Sequence, residues 1–374
     1  MKMELYKGLK IVDILLIVGM AFVVSCTEET SPDLVSENEI VFGLDLPDTW
    51  LDSRESRATI VDNTRLVTAG FGVFAFYAQQ TPDFMNNTKV YSTNGGTSWE
   101  YKPVKYWPNN EGDDIDFFAY APYDASFSVK NKTELTYVVP QNVAQQKDLL
   151  WSNTNTQGKT KADGTVHFNF HHALSRIGFT AEAKLVGTSP IDGWEKVNMK
   201  VKKIVLTSIT DKTGTGTGPF YEQGILNLNN QTDNPVWMSC TGTQSYTLSA
   251  GQLASHDLTL TETNTSVGPK ELSADGSYLM ILPQDLQTEG FHVYVEYDVN
   301  LSFTGNGYEG SGYYEYSTYT NGCVGTLKIN FEPGKAYTIN IQLGLEDATL
   351  GEVTMTEWGD GGNVTLEDLL EEKE

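Results

Sequence analysis

Residues 291–303, FHVYVEYDVNLSF, alternate almost without a break between apolar and polar side chains. Phe291, Val293, Val295, Tyr297, Val299, Leu301 and Phe303 fall on one side, with His292, Glu296, Asp298 and Asn300 opposite. A period of two marks a strand with one face on a core. The pattern extends to the neighbours. Val197, Met199 and Val201 of VNMKVKKIVLTSI share a face in the same way, and VHFNF (166–170) enters HHALSRIGFTAEAK (171–184). GTLKINFEPGKAYTINIQL (325–343) predicts a hairpin in which Leu327, Ile329 and Phe331 face Tyr337, Ile339 and Ile341 across Glu332-Pro333-Gly334-Lys335. Proline sets the first central position of that turn, and glycine takes the positive φ that a type II turn needs at the second.

The earlier half of the chain reads alike. GFGVFAFYAQQ (70–80) is apolar on both faces and predicts a strand inside a sandwich, while IDFFAYAPY (115–123), ELTYVVP (134–140) and DLLWSN (148–153) are further short strands between Asn, Gly and Pro turns. TQGKTKADG (156–164) is the most linker-like stretch and is the expected domain boundary. Ile40, Phe42, Leu44 and Leu46 form one more period-two segment, ended by Pro47. It leads into DTWLDSRESRATIVDNTR (48–65), a polar connection holding Arg54, Arg57 and Arg65, the last read as an ordinary solvated charge. DATLGEVTMTEWGDGG (347–362) adds a last strand, and LEDLLEEKE is an acidic tail. The expectation is an all-β chain of two tandem β-sandwich domains.

Composition agrees. Among 374 residues there are 19 Tyr, 16 Phe and 7 Trp, and no long helical period. A formal charge of −24 repels nucleic acid and anionic headgroups, which excludes both as partners.

The N-terminus has its own reading. Lys2, Lys7 and Lys10 precede eleven apolar residues, Ile14 to Val24, too short for a membrane-spanning helix. This is the pattern of a signal peptide over residues 1–25. Val23-Val24-Ser25-Cys26 resembles a bacterial lipobox, and the acidic Thr27-Glu28-Glu29 resembles a surface-export signal of Bacteroidetes lipoproteins. Cys26 is therefore the expected lipid attachment site, and membrane contact runs only through that anchor. Cys240 and Cys323, the two remaining cysteines, are expected as separate buried thiols.

An enzyme needs a constellation of groups, and the candidates have plainer readings. Ser255-His256-Asp257 is contiguous, whereas a triad is assembled in space, and neighbouring strand residues point to opposite faces. His167, His171 and His172 lack further spaced ligands for a metal. Gly214-Thr215-Gly216-Thr217-Gly218-Pro219 lacks the lysine of a P-loop. Asn110-Glu111-Gly112-Asp113-Asp114-Ile115-Asp116 lacks the ligand spacing of a calcium loop and reads as a solvated acidic turn. The tryptophans are expected mostly in cores or interfaces. No enzyme, metal or cofactor is expected.

HHALSRIGFTAEAK resembles the Mfa-like, or fimbrillin, family of Bacteroidales, and other pieces follow in family order. They are the lipobox at Cys26, FGVFAFY, Tyr106-Trp107-Pro108, DFFAYAPY, Asp148-Leu149-Leu150 and PGKAYTINIQL. The resemblance implies an exported lipoprotein precursor of pilus subunits with two transthyretin-like, Greek-key β-sandwiches. It implies cutting by a surface arginine-specific protease after the first strand, and assembly with other subunits by strand exchange. On this sequence the donor strand is Ile40, Phe42, Leu44 and Leu46. The cut follows Arg57, with Arg54 second. The expected segments are 1–25 signal, 26–57 pro-segment, 58–163 first domain and 164–374 second domain. The expected place is the outer membrane surface, then the fimbrium, with a host or bacterial receptor. The alternative is a surface lipoprotein of the same fold that never polymerises and binds a glycan or host protein.

Overall fold

The computed structural model describes residues 38–45, 63–78, 83–110, 112–158, 164–185, 194–211, 217–230, 234–274, 278–304, 314–358 and 364–365. The chain begins with β1 (Val41–Asp45), the helix α1 (Asn63–Ala69), β2 (Phe71–Tyr77), β3 (Met85–Tyr91), β4 (Glu100–Tyr101) and β5 (Ile115–Ala121). β6 (Val129–Lys130), β7 (Glu134–Val138), β8 (Leu150–Gln157), β9 (Thr165–Asn169) and β10 (His171–His172) follow. Then come β11 (Ser175–Lys184), β12 (Trp194–Thr207), β13 (Gln223–Asn227), β14 (Val236–Thr241), β15 (Tyr246–Leu248), β16 (Leu258–Thr261) and β17 (Ser266–Glu271). β18 (Leu279–Ile281), β19 (Gln284–Asp285), β20 (Phe291–Thr304), β21 (Tyr314–Leu327), β22 (Asn330–Phe331), β23 (Lys335–Leu343), β24 (Ala348–Glu357) and β25 (Val364–Thr365) complete it. The all-β expectation holds.

The first large sheet has the order β10-β8-β5-β2-β3-β4. β2 lies inside it, and six of its seven residues are buried, as an apolar run on both faces requires. One face packs on an aromatic cluster containing Phe42, Phe71, Phe117, Phe168 and Phe170. The other face, with Phe74, Phe118 and Tyr120, joins the core of the later sheets. Those are β17-β11-β23-β24-β25, with β18 also on β11, and β15-β12-β20-β21, with β16 also on β12. β20 keeps its alternation: Phe291, Val293, Val295, Tyr297, Val299 and Leu301 are all buried. β12 changes phase at a bulge between Val201 and Lys203, so Val197, Met199 and Val201 give way to Ile204 and Leu206 on the buried face.

Two pairings differ from the sequence reading. The 325–343 hairpin is absent: β21 pairs β20, β22 pairs β19, and β23 lies between β11 (parallel) and β24 (antiparallel). The turn itself is there, with Gly334 at φ +69°. Its flanks separate because Phe331 enters an aromatic group with Phe220, Phe291 and Tyr337, which carries the chain from one sheet to the other. In the second case β7 is not confined to the first half. It pairs β13 along five residues, in a sheet of order β14-β13-β7-β6. Past the expected linker, β9 and β10 still pair with β1 and β8.

Candidate functional site

The segment from Asn38 to Asp45 is held by three kinds of contact. Its backbone enters first: Trp107 N–H donates to Asn38 O at 2.8 Å, Ile40 N–H to Lys105 O at 3.0 Å and Val41 N–H to Gly164 O at 3.4 Å. β1 then runs parallel to β9, with Val41 opposite Thr165 and Asp45 opposite Asn169. These two strands form a sheet of their own.

The second contact is apolar. Ile40 is fully buried and Phe42 is 2% exposed. The Phe42 ring stacks on Phe168 at 5.5 Å and meets Tyr101 at 5.1 Å, Phe117 at 6.0 Å and Phe71 at 6.5 Å. The Tyr101 hydroxyl donates to Ile40 O at 2.8 Å, so one side chain both packs on the strand and satisfies it. Burial pushes the Tyr101 phenol up to about 12. Leu44 is half-buried.

The third contact is on the opposite face. Gly43 lies under the His167 ring, where a Cβ would come within 2.8 Å of Cε1. That close approach lets His167 Nδ1 reach Asp45 Oδ1 at 3.0 Å, with both side chains more than half exposed. Period two thus places Ile40 and Phe42 in the core as expected. Leu46, Cys26, Arg54 and Arg57 lie outside the described residues. Of the rings that seat Phe42, Tyr101 and Phe168 carry no site signal in the sequence, although Phe168 lies in VHFNF.

The remaining candidates do not converge. His172 is buried, with Nδ1 2.8 Å from Asp148 Oδ2 and its ring stacked on Trp358 at 4.1 Å. His171 packs near Trp151, and His167 belongs to the β1–β9 pair. No cluster of three metal-ligating side chains forms among the described residues. Asp113 accepts from the Tyr77 hydroxyl at 2.6 Å, and Asp116 from Thr156 at 2.6 Å. Ser255 and Asp257 are exposed around a half-buried His256 in the loop after β15. Cys240 and Cys323 are free and half-buried, and burial raises both thiols. Arg65 is half-buried within α1. Trp99, Trp107, Trp151, Trp194 and Trp358 are buried, as expected of core anchors. Residues 212–216 of the glycine-rich turn and Glu111 of the acidic turn fall outside the described residues.

Comparison with known proteins decides the family, because the fimbrillin-like family model matches residues 56–358. The chain belongs to the fimbrillin-like family. The fimbrium subunit Fim1C of Phocaeicola vulgatus is 24% identical over 275 residues, which is 64% of each chain. This fimbrillin-like chain therefore spans just under two thirds of that relative's length. The crystal structure of a fimbrial protein from Bacteroides vulgatus shares the fold, with a TM-score of 0.61 and 20% identity. The match covers 86% of the present chain and 99% of that one.

Proposed function

We propose that this protein is a fimbrial subunit or pilus-associated adhesin, exported as a lipoprotein on Cys26 and assembled by exchange of β1. The observation that carries the reading is the seating of that strand. β1 has one strand partner among the described residues, yet its Phe42 fills an aromatic core. Its removal would open both a backbone edge at β9 and an apolar trough, and an extended donor strand repairs both defects at once. Full burial of Ile40 and Phe42 contributes roughly 3–6 kcal/mol gross, at about 1.5–3 kcal/mol each, against the entropy of ordering the strand. That is enough to hold β1 until a cut severs its link to α1.

The cut is placed after Arg57, with Arg54 second, by a surface arginine-specific protease acting in the polar connection behind β1. The place of action is the outer membrane surface and then the fimbrium. Other subunits are the partners, and a host or bacterial surface receptor is the target. Family membership and the name of the Phocaeicola relative support this reading. N-terminal sequencing of assembled material tests it. A new terminus at Ala58 or Glu55 is expected, and assemblies that still begin at Cys26 would refute processing. Limited tryptic cleavage followed by size analysis should give ladders. A stable monomer would favour the non-polymerising surface lipoprotein.

A further inference from the structure

A bare sheet edge is a template for another strand, and proteins blunt such edges with shortness, proline, charge or bulges. Most outermost strands among the described residues are guarded in these ways. β4, β6, β10 and β25 are two residues long, β15 and β16 three and four, and the two-stranded sheets use strands of five residues or fewer. β17 carries Pro269, Lys270 and Glu271. β14 is interrupted by a register shift against β13 and by Ser239 in the left-handed region at φ 50°.

β21 has no such guard. It runs 14 residues, pairs one-to-one with β20 without a register shift, and no described strand pairs its outer edge. Its residues, YEYSTYTNGCVGTL, include a single charge, Glu315, and no proline or lysine. Thr318, Thr320, Gly322, Val324 and Thr326 form an exposed row of small, uncharged positions. On the other face the strand is pinned, since the Tyr319 hydroxyl and Asn321 Nδ2 both donate to Leu345 O at 2.8 Å.

Charge indicates what that partner is. The chain carries −24, so two copies repel over most of their surfaces. β12, β20 and β21 together hold Lys196, Lys200, Lys202 and Lys203 against Glu195, Glu296, Asp298 and Glu315, and so are neutral. Here a second copy meets no net charge from the strands themselves, and the nearest acids from another element are Glu346 and Asp347, beside Tyr319 and Cys323. An antiparallel strand pair about a twofold axis is also self-complementary. We propose that β21 pairs antiparallel with β21 of a second copy, joining two chains into one continuous sheet. Alternate residues of an edge strand turn N–H and C=O outward, so about seven residues per strand are available for this ladder. The inference is independent of strand exchange at β1.

The test uses the full chain with Arg54→Ala and Arg57→Ala, which blocks processing. Light scattering across a concentration series should show mass rising from one chain to two and stopping there, whereas strand exchange gives an open series of sizes. Amides at alternate β21 positions should exchange more slowly as concentration rises. Val324→Lys should abolish the dimer while matching the wild-type Tm at dilutions where both are single chains, and Val324→Thr should keep the dimer. Mass that stays at one chain, a dimer with unaltered β21 exchange, or one untouched by Val324→Lys would overturn the proposal. The exchange measurement needs no β21 substitution, so it decides even where the lysine variant fails to fold.

Discussion

Among the described residues, two parallel strand pairs stand in opposite circumstances. β11 and β23 pair over eight residues, from Arg176 opposite Ala336 to Ala183 opposite Leu343. β11 is flanked on its other edge by β17 and β18, and β23 by β24. β1 and β9 pair over five residues with no further strand on either side among the described residues. Both pairs bury aromatic side chains. What differs is how much else must break when a strand leaves. Loss of β23 would strip a partner from both β11 and β24, whereas loss of β1 would strip a strand partner from β9 alone among the described residues.

The largest expected effect sharpens this contrast. Phe179→Ala, in β11, removes a ring that is 1% exposed and should lower global stability by about 3–5 kcal/mol in one cooperative step. Phe42→Ala deletes the same side chain from β1. It should lower global stability by less, about 1–3 kcal/mol, and strip amide protection from β1 and β9 alone. Denaturant unfolding and hydrogen exchange read the two quantities side by side. Equal global losses, with uniform loss of protection, would mean that β1 is not a separable unit.

A smaller effect tests the polar latch. Tyr101→Phe removes the hydrogen bond to Ile40 O and should cost about 0.5–1.5 kcal/mol at neutral pH, read as faster exchange in β1. Its pH dependence follows from burial. The folded phenol titrates at about 12, above its unfolded value of 10.0. The fold therefore favours the neutral form, whose contribution is complete below pH 10 and disappears as pH rises through 12. Wild type should lose more stability than Tyr101→Phe across that window. Parallel losses would remove Tyr101 from the latch.

The smallest effect is on the exposed face. His167→Gln breaks the contact with Asp45, but both groups are solvated, so the change should be about 0.5 kcal/mol or less. A larger shift in β1 exchange would show that the outer face, not the aromatic seat, retains the strand.

Much of this was legible in the sequence because period two is a local signal. It marks β1 and β20 and puts Ile40 and Phe42 on one face. Partner choice is not local. Nothing within 40–46 states that the neighbour is Thr165–Asn169, 124 residues on from Val41–Asp45, or that the seat includes Tyr101. The failed hairpin has the same cause. Pro333-Gly334 specifies a turn, but Phe331 and its aromatic neighbours decide that the two flanks enter different sheets. At β12 the bulge shifts the apolar phase by one residue, which a strict alternation count cannot anticipate.

The ladder between β7 and β13 bears on how such chains diversify. Glu134 to Val138 come from the early half, yet their hydrogen-bonding neighbours are Gln223 to Asn227. A recombination joint at residue 163, grafting one relative's front onto another's back, would transplant β7 away from the strand it was selected to match. Working chimaeras should therefore inherit both strands from one parent, so evolution would tend to shuffle whole subunits in preference to half-subunits.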